Sequence, residues 1–129
     1  MPAEAEKPFA YAILRLVPCI ERGESLNVGL CLFCRQFDFL ELRTHLDPER
    51  VAAVAPELDL GSVSRQLESI EAVISGDPAA GALAAMPQSE RFGWLAAPSS
   101  TVIQASDVHT GLTTSPEAEL ERLFGTLVL

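Results

Sequence analysis

Three apolar runs in the first third of the chain set the pattern from which the fold is predicted. The runs at 9–19 and 27–35 are apolar at both odd and even positions, as in strands that are covered on both faces. The run at 37–45 carries polar residues within its alternation, so we expect one of its faces to be partly exposed. Because short connections such as ERGES at 21–25 separate the runs, they predict a three-stranded antiparallel β-meander.

Helical spacing replaces strand spacing after the third run. Asp47 followed by Pro48 is a helix start signal and opens a short helix that stops near Pro56. Apolar residues recur at helical spacing over 62–75, where the glycine that follows supplies the stop. The segment from Ser115 starts a closing helix with its leucines on one face.

The remaining segments are predicted to connect these elements. The run at 76–87 reads as a loose turn or connection, and 94–106 as an irregular or extended segment, in which 101–106 could add a strand to the sheet. The predicted fold class is therefore α+β, with an N-terminal antiparallel β-meander packed against central and C-terminal helices. The length of the chain is typical of a single domain, which we expect to span residues 1–129. Within it, we expect residues 1–8 to form a flexible N-terminal tail.

Net charge narrows the range of partners. The chain carries nine Lys or Arg against 18 Asp or Glu, for a formal net charge of −9 and a pI near 4.5. The first 43 residues contain five of the basic residues and six of the acids, so almost all of the net charge falls on the rest. Because nucleic acids and anionic membranes are bound through basic surfaces, we expect neither as a partner. A basic protein, a cation or a neutral surface stays open.

Hydropathy, the N-terminal sequence and the cysteine count together indicate a cellular location. No stretch approaches the roughly 20 apolar residues of a membrane helix, and the first ten residues are acidic and polar, unlike a signal peptide. Three cysteines, an odd number in a short chain, fit a reducing compartment better than a disulfide framework. We therefore expect a cytoplasmic protein.

Two of the cysteines, Cys31 and Cys34, have the C-x-x-C spacing of redox and zinc sites. They lie within the second apolar run, however, and residues three apart on a strand point to opposite faces. No second Cys or His pair has a metal-like spacing. We therefore predict buried structural thiols, no metal site and no cofactor.

The first group of candidate site residues surrounds the connection between the first two runs. Arg15 lies within an apolar strand and needs a partner, either Glu24 or Glu41 in a structural ion pair or an anionic ligand. Glu24 and Asn27 precede the second apolar run, where they read either as parts of a hairpin turn or as one side of a polar site.

The second group lies in the polar stretch RFGWLAAPSSTVIQASDVHTG at 91–111. His109 has a side chain suited to proton transfer, and hydroxyls are close to it in sequence, but the nucleophile motif G-x-S-x-G is absent. The same residues also read as turn and capping groups, with the tryptophan as a core anchor. The catalytic candidates of both groups are His109, Glu24, Ser99 and Ser100. The ligand-binding candidates are Arg15, Asn27, Arg91, Trp94 and Gln104.

The runs YAILRLVPCIERGESLNVGLCLFCR at 11–35 and RFGWLAAPSSTVIQASDVHTGL at 91–112 together resemble a bacterial family known as domain of unknown function 3037. The resemblance covers nearly the whole chain and is weakest in the middle third. It implies no activity, because none is established for the family. Genes for such proteins often lie beside a gene for a HipA-like kinase, which the resemblance implies as a partner or pathway.

Two functional hypotheses follow from these observations. The first is a non-enzymatic interaction or accessory protein whose acidic surface meets a basic one; the resemblance implies a HipA-like kinase as its partner. The alternative is a small enzyme or ligand-binding domain, in which Arg15 or Arg91 holds an anionic group and His109 acts as acid or base. The alternative requires the two groups of polar residues to converge in one cleft. An exposed apolar face would in addition favour a homo-oligomer.

Overall fold

Five strands form one antiparallel sheet in the computed structural model, which describes residues 5–99 and 101–129. The strands are β1 (Lys7–Leu16), β2 (Leu26–Cys34), β3 (Phe39–Thr44), β4 (Ile103–Ala105) and β5 (His109–Thr113). The order across the sheet is β3, β2, β1, and both β4 and β5 then pair with β1. Strand β5 pairs with the N-terminal half of β1 and β4 with its C-terminal end. The sheet therefore has one edge formed by β3 and one formed by β4 and β5 in turn.

Four α-helices complete the part of the fold that the structure describes: α1 (Pro48–Val54), α2 (Leu60–Ser75), α3 (Gln88–Ala96) and α4 (Pro116–Leu127). Side-chain caps begin three of them, because Asp47, Asp59 and Ser115 each accept a backbone N–H from the first turn. Helix α2 ends at Gly76, whose φ of 77° is the left-handed conformation that glycine adopts readily. None of the helices in the described part of the chain is long and apolar enough to cross a membrane.

The sheet is covered on both faces by different helices. Even-numbered residues of β1, including Leu14 and Leu16, pack with α1, α2 and α3 in one core, on what we call the three-helix face. Odd-numbered residues, including Phe9 and Ile13, pack with α4 in a second core, on the α4 face. This two-sided burial is why β1 and β2 are apolar at both alternating positions.

The α+β class and the N-terminal meander are confirmed by this architecture. The strand predicted within 101–106 is present as β4. The expectation of an irregular or extended segment from residue 94 is wrong at its start, because α3 continues to Ala96. Strand β5 was not predicted. Strand β1 begins at Lys7, so the last two residues of the expected tail belong to the sheet.

Ser106 holds the edge together where it passes from β4 to β5. Its Oγ accepts the backbone N–H of Ile13 at 2.9 Å, and its own N–H donates to the carbonyl of Ile13 at 2.8 Å. The hydroxyl also donates to the Asp107 carbonyl at 2.9 Å. The buried backbone of β1 is thereby satisfied at the point where neither edge strand pairs with it.

Candidate functional site

Three of the predicted ligand-binding residues lie in one row across the sheet. Arg15 pairs with Asn27 on β2 and with Gln104 on β4. Directly paired residues of antiparallel strands share a face, so all three lie on the α4 face. A bulge in β2 at Val28 brings Asn27 into this row.

Two members of the row bind backbone groups of the protein itself. Asn27 Nδ2 donates to the carbonyl of Leu127 at 2.9 Å and so satisfies the C-terminal end of α4. Gln104 Nε2 donates to the carbonyl of Thr101 at 2.8 Å. Both amides therefore have structural roles beside the arginine.

Arg15 is half-buried and makes no salt bridge within residues 5–99 and 101–129. Neither of its expected acidic partners reaches it. Glu24 pairs with Arg22 at 2.6 Å, and Glu41 lies 3.8 Å from Arg43. The guanidinium of Arg15 is thus the group in the row that is open to an anion.

His109 shares the α4 face but lies further along β1. It is paired with Tyr11, and the two rings stack with centroids 5.2 Å apart. Phe9 extends the stack, with 6.2 Å between its ring centroid and that of Tyr11. Four residues of strand, about 13 Å, separate Tyr11 from Arg15. The imidazole is therefore the exposed end of an aromatic stack that continues into the core, and it is not part of the Arg15 row.

Arg91 and Glu24 lie apart from both groups. Arg91 donates to the carbonyls of Ile74 and Met86, so its guanidinium caps the end of α2. Glu24 lies beside the C-terminal end of α1, across from Val54 and Ala55. The side chains expected to converge in one cleft are therefore distributed over several parts of the molecule.

Trp94 and Ser99 line a pocket of about 330 Å³ on the three-helix face, between α2, α3 and β4. Buried Leu14, Leu95 and Ile103 are among its lining residues, none of which is charged. Ser99 Oγ is hydrogen-bonded to Thr101 Oγ1 at 2.9 Å. Ser99 and His109 are thus on opposite faces of the sheet and do not form a nucleophile and base pair. Ser100 lies outside the described residues.

A larger feature, which the sequence interpretation missed, runs between α2 and the free side of β3. This groove has a volume of about 660 Å³ and contains four carboxylates; we call it the acidic groove. Its acidic residues are Asp38, Glu41, Glu68 and Glu71. Phe39, Leu40, Leu42, Ala72 and Ile74 supply its apolar surface. The signal in the sequence was the pair of acids three apart on α2, which share one side of a helix.

One hydrogen bond crosses the acidic groove, and most of its carboxylates are not neutralised by a salt bridge among the described residues. Thr44 Oγ1 donates to Glu71 Oε1, which links β3 to α2. Arg43 lies near Glu41 and offsets part of its charge. Asp38, Glu68 and Glu71 form no salt bridge with any residue that the structure describes. The groove therefore attracts positive charge.

The cysteine prediction is confirmed in its structural part. Cys31 is buried in the core of the three-helix face and Cys34 in that of the α4 face, so the two thiols point in opposite directions. Burial raises the pKa of the Cys31 thiol far above its usual range. Cys31 is therefore a poor nucleophile, and burial shields Cys34 from reagents in the solvent. In the described part of the chain, no group of three or more His, Cys, Asp or Glu is arranged to hold a metal ion.

The comparisons with known proteins give a family without an activity. A family model described as a protein of unknown function, DUF3037, matches residues 11–128. No curated protein and no solved structure matches the chain significantly. The match runs from within β1 to α4 and includes the Arg15 row, Tyr11 and His109 of the aromatic stack, and the acidic groove. The chain therefore belongs to the DUF3037 family of proteins of unknown function.

Proposed function

We propose that the protein is a non-catalytic interaction protein that binds a basic, extended segment of a partner protein in the acidic groove. The observation that carries the proposal is the position of this groove along β3, which has a strand neighbour on one side only among the described strands. An edge strand offers backbone N–H and C=O groups to an added strand. Carboxylates beside that edge select the added strand by charge.

The groove has the chemistry that an alternating basic and apolar segment requires. Successive side chains of an added strand point to opposite sides, so one set can contact apolar surface while the other meets charge. Leu40 and Leu42 contribute the apolar surface from β3, and Glu68 contributes charge from α2. Main-chain hydrogen bonds would supply affinity, and the side-chain contacts would supply specificity.

The net charge of the whole chain supports the same partner class. At −9 it attracts a basic protein over a distance and disfavours binding to nucleic acid phosphates. A HipA-like kinase is the specific partner suggested by the family resemblance, through the frequent neighbourhood of the two genes. That suggestion rests on association and is tested separately from the groove.

The groove is tested with a fluorescent synthetic peptide that alternates Arg and Val. Its affinity is measured by anisotropy for the wild type, for Glu68→Lys and for the control Glu21→Lys. The control makes the same charge change at an exposed position in the β1–β2 connection. We expect Glu68→Lys to weaken binding about tenfold, which corresponds to about 1.4 kcal/mol, and Glu21→Lys to weaken it much less. Binding should also weaken as salt is raised.

If Glu68→Lys and Glu21→Lys lost the same amount of peptide affinity, the net charge of the protein would explain the loss. The groove would then be rejected as the binding site. The same three proteins are then mixed at low salt with a purified HipA-like kinase. Co-purification with the wild type and Glu21→Lys, but not with Glu68→Lys, would support the kinase as the partner. A folded kinase that is not retained, while the peptide still binds, would reject the kinase but not the groove.

A second candidate function is the binding of an anionic ligand at Arg15. The observation in its favour is a half-buried guanidinium without a salt bridge among the described residues, between two cross-strand amides. A charge in that position is stabilised by a carboxylate or phosphate group. Because Asn27 and Gln104 already bind carbonyls, Arg15 would be the main contact.

Inorganic phosphate provides the test of this second function. Titration is followed by NMR through the Nε–H signals of Arg15 and of Arg35, an exposed arginine that serves as control. A saturable shift of the Arg15 signal would support an anion site, as would phosphate-dependent shifts of the side-chain amide signals of Asn27 and Gln104 that persist in Arg35→Gln and are lost in Arg15→Gln. Identical weak shifts at both arginines would contradict it.

A further inference from the structure

The β4–β5 edge differs from the rest of the molecule in having almost no charge. Residues 92–116, which contain both strands, include no Lys or Arg and one acid, Asp107. The chain as a whole carries −9. A surface of this kind neither attracts a basic partner nor repels an acidic one.

The same edge is open to pairing. Strand β5 pairs with β1 alone among the described strands, so its outward backbone groups face away from the sheet. It carries no lysine or proline, the residues that commonly protect an exposed edge from pairing with another chain. Large apolar side chains are exposed along it: Leu112 is 61% exposed, and Val108 and Trp94 are also exposed.

We propose that the β4–β5 edge binds a second copy of this chain, with β5 antiparallel to β5 of the partner copy. Such pairing about a two-fold axis is self-complementary, because each residue that contacts the partner is contacted in the same way in return. It would join the two sheets into one continuous sheet and cover Leu112.

Charge is the argument for a second copy rather than another protein. Two molecules that each carry −9 repel one another wherever their acidic surfaces approach. That repulsion is reduced at the β4–β5 edge, because its own residues contribute a single acid. The acidic groove lies at the opposite edge, beyond β2 and β1, and would stay free in the dimer.

The experiment is sedimentation equilibrium of the full chain over a range of concentrations, with Leu112→Glu as the test variant. Ile20→Glu is the matched control, because Ile20 is 57% exposed and gains the same charge in the β1–β2 connection. Both positions are exposed, so both variants should fold. We expect the wild type and Ile20→Glu to form a dimer, and Leu112→Glu to raise the dissociation constant about tenfold or more.

Salt dependence provides a second readout of the same interface. Screening of the repulsion between the two net charges should strengthen the wild-type dimer as salt is raised. A wild type that stays monomeric at every concentration and salt level would overturn the proposal. Equal dimerisation of Leu112→Glu and the wild type would also overturn it, because the interface would then lie elsewhere.

Discussion

The two edges of the sheet both expose backbone hydrogen-bonding groups, but their side chains differ in charge. Strand β3 has charged residues on and beside it, and the acidic groove follows its free side. The β4–β5 edge is nearly uncharged and exposes Leu112 and Val108. Among the described strands, neither edge has a further strand neighbour, so each offers backbone groups to an added strand.

The difference would allow one small sheet to keep the two proposed binding surfaces distinct. Carboxylates at β3 favour a basic strand and repel a second acidic copy of the chain. The uncharged edge removes that repulsion and offers apolar contact instead. Salt should therefore weaken association at the first edge and strengthen it at the second. The two edges also differ in their contacts with the rest of the fold: β5 packs closely on Phe9, and β3 is hydrogen-bonded to α2 through Thr44.

The largest effect on stability is expected at the neutral edge, where packing holds β5 against β1. A Cβ at Gly111 would lie 2.8 Å from two ring atoms of buried Phe9, which is closer than real contacts allow. We expect Gly111→Ala to lower the free energy of unfolding by about 2 kcal/mol, measured by urea denaturation. The physical reason is overpacking against a ring that the core confines.

Gly125→Ala is the matched control for that substitution. Gly125 lies in α4, and nothing is within 4 Å of the position a Cβ would take. The change should leave stability unchanged or raise it by up to about 1 kcal/mol, because alanine favours helix. If Gly111→Ala were as stable as Gly125→Ala, the close packing of β5 on Phe9 would be disproved.

A smaller effect is expected at the charged edge, where a hydrogen bond links β3 to α2. Thr44→Val removes the hydroxyl that donates to Glu71 and keeps the shape of the side chain. We expect a loss of about 1 kcal/mol in the free energy of unfolding, because the bond is only partly buried. Thr126→Val, which removes an exposed hydroxyl bonded within α4, should cost less. Equal costs would mean that the link contributes nothing specific.

Four of the elements that the sequence predicted bury several of their own side chains, whereas β3 and α1, which bury few, were predicted from alternation and from the Asp47–Pro48 helix start. Strands β1 and β2 and helices α2 and α4 each place several apolar residues in a core, so their periodicity is visible along the chain. The two buried thiols follow from the same pattern. In these segments local periodicity and tertiary burial agree.

The missed elements contribute little to either core. Helix α3 buries only Phe92 and Leu95, too few positions to establish a helical period. Strand β5, HTGLT, buries only Thr113 and exposes Leu112, so it has no apolar alternation. It is a strand because β1 supplies its hydrogen-bond partners, and those partners lie about a hundred residues away in the chain.

The candidate sites, like the secondary-structure elements, have some properties that are visible in the sequence and others that depend on the fold. The sequence alone determined the charge of the chain, its buried strands and helices, and which polar residues stand out against them. Tertiary structure alone decided that Arg15, Asn27 and Gln104 share a row, that Ser99 and His109 lie on opposite faces, and that acids from β3 and α2 share one groove. The physical reason is that burial and charge are properties of each residue and its near neighbours, whereas strand register depends on pairing between distant segments.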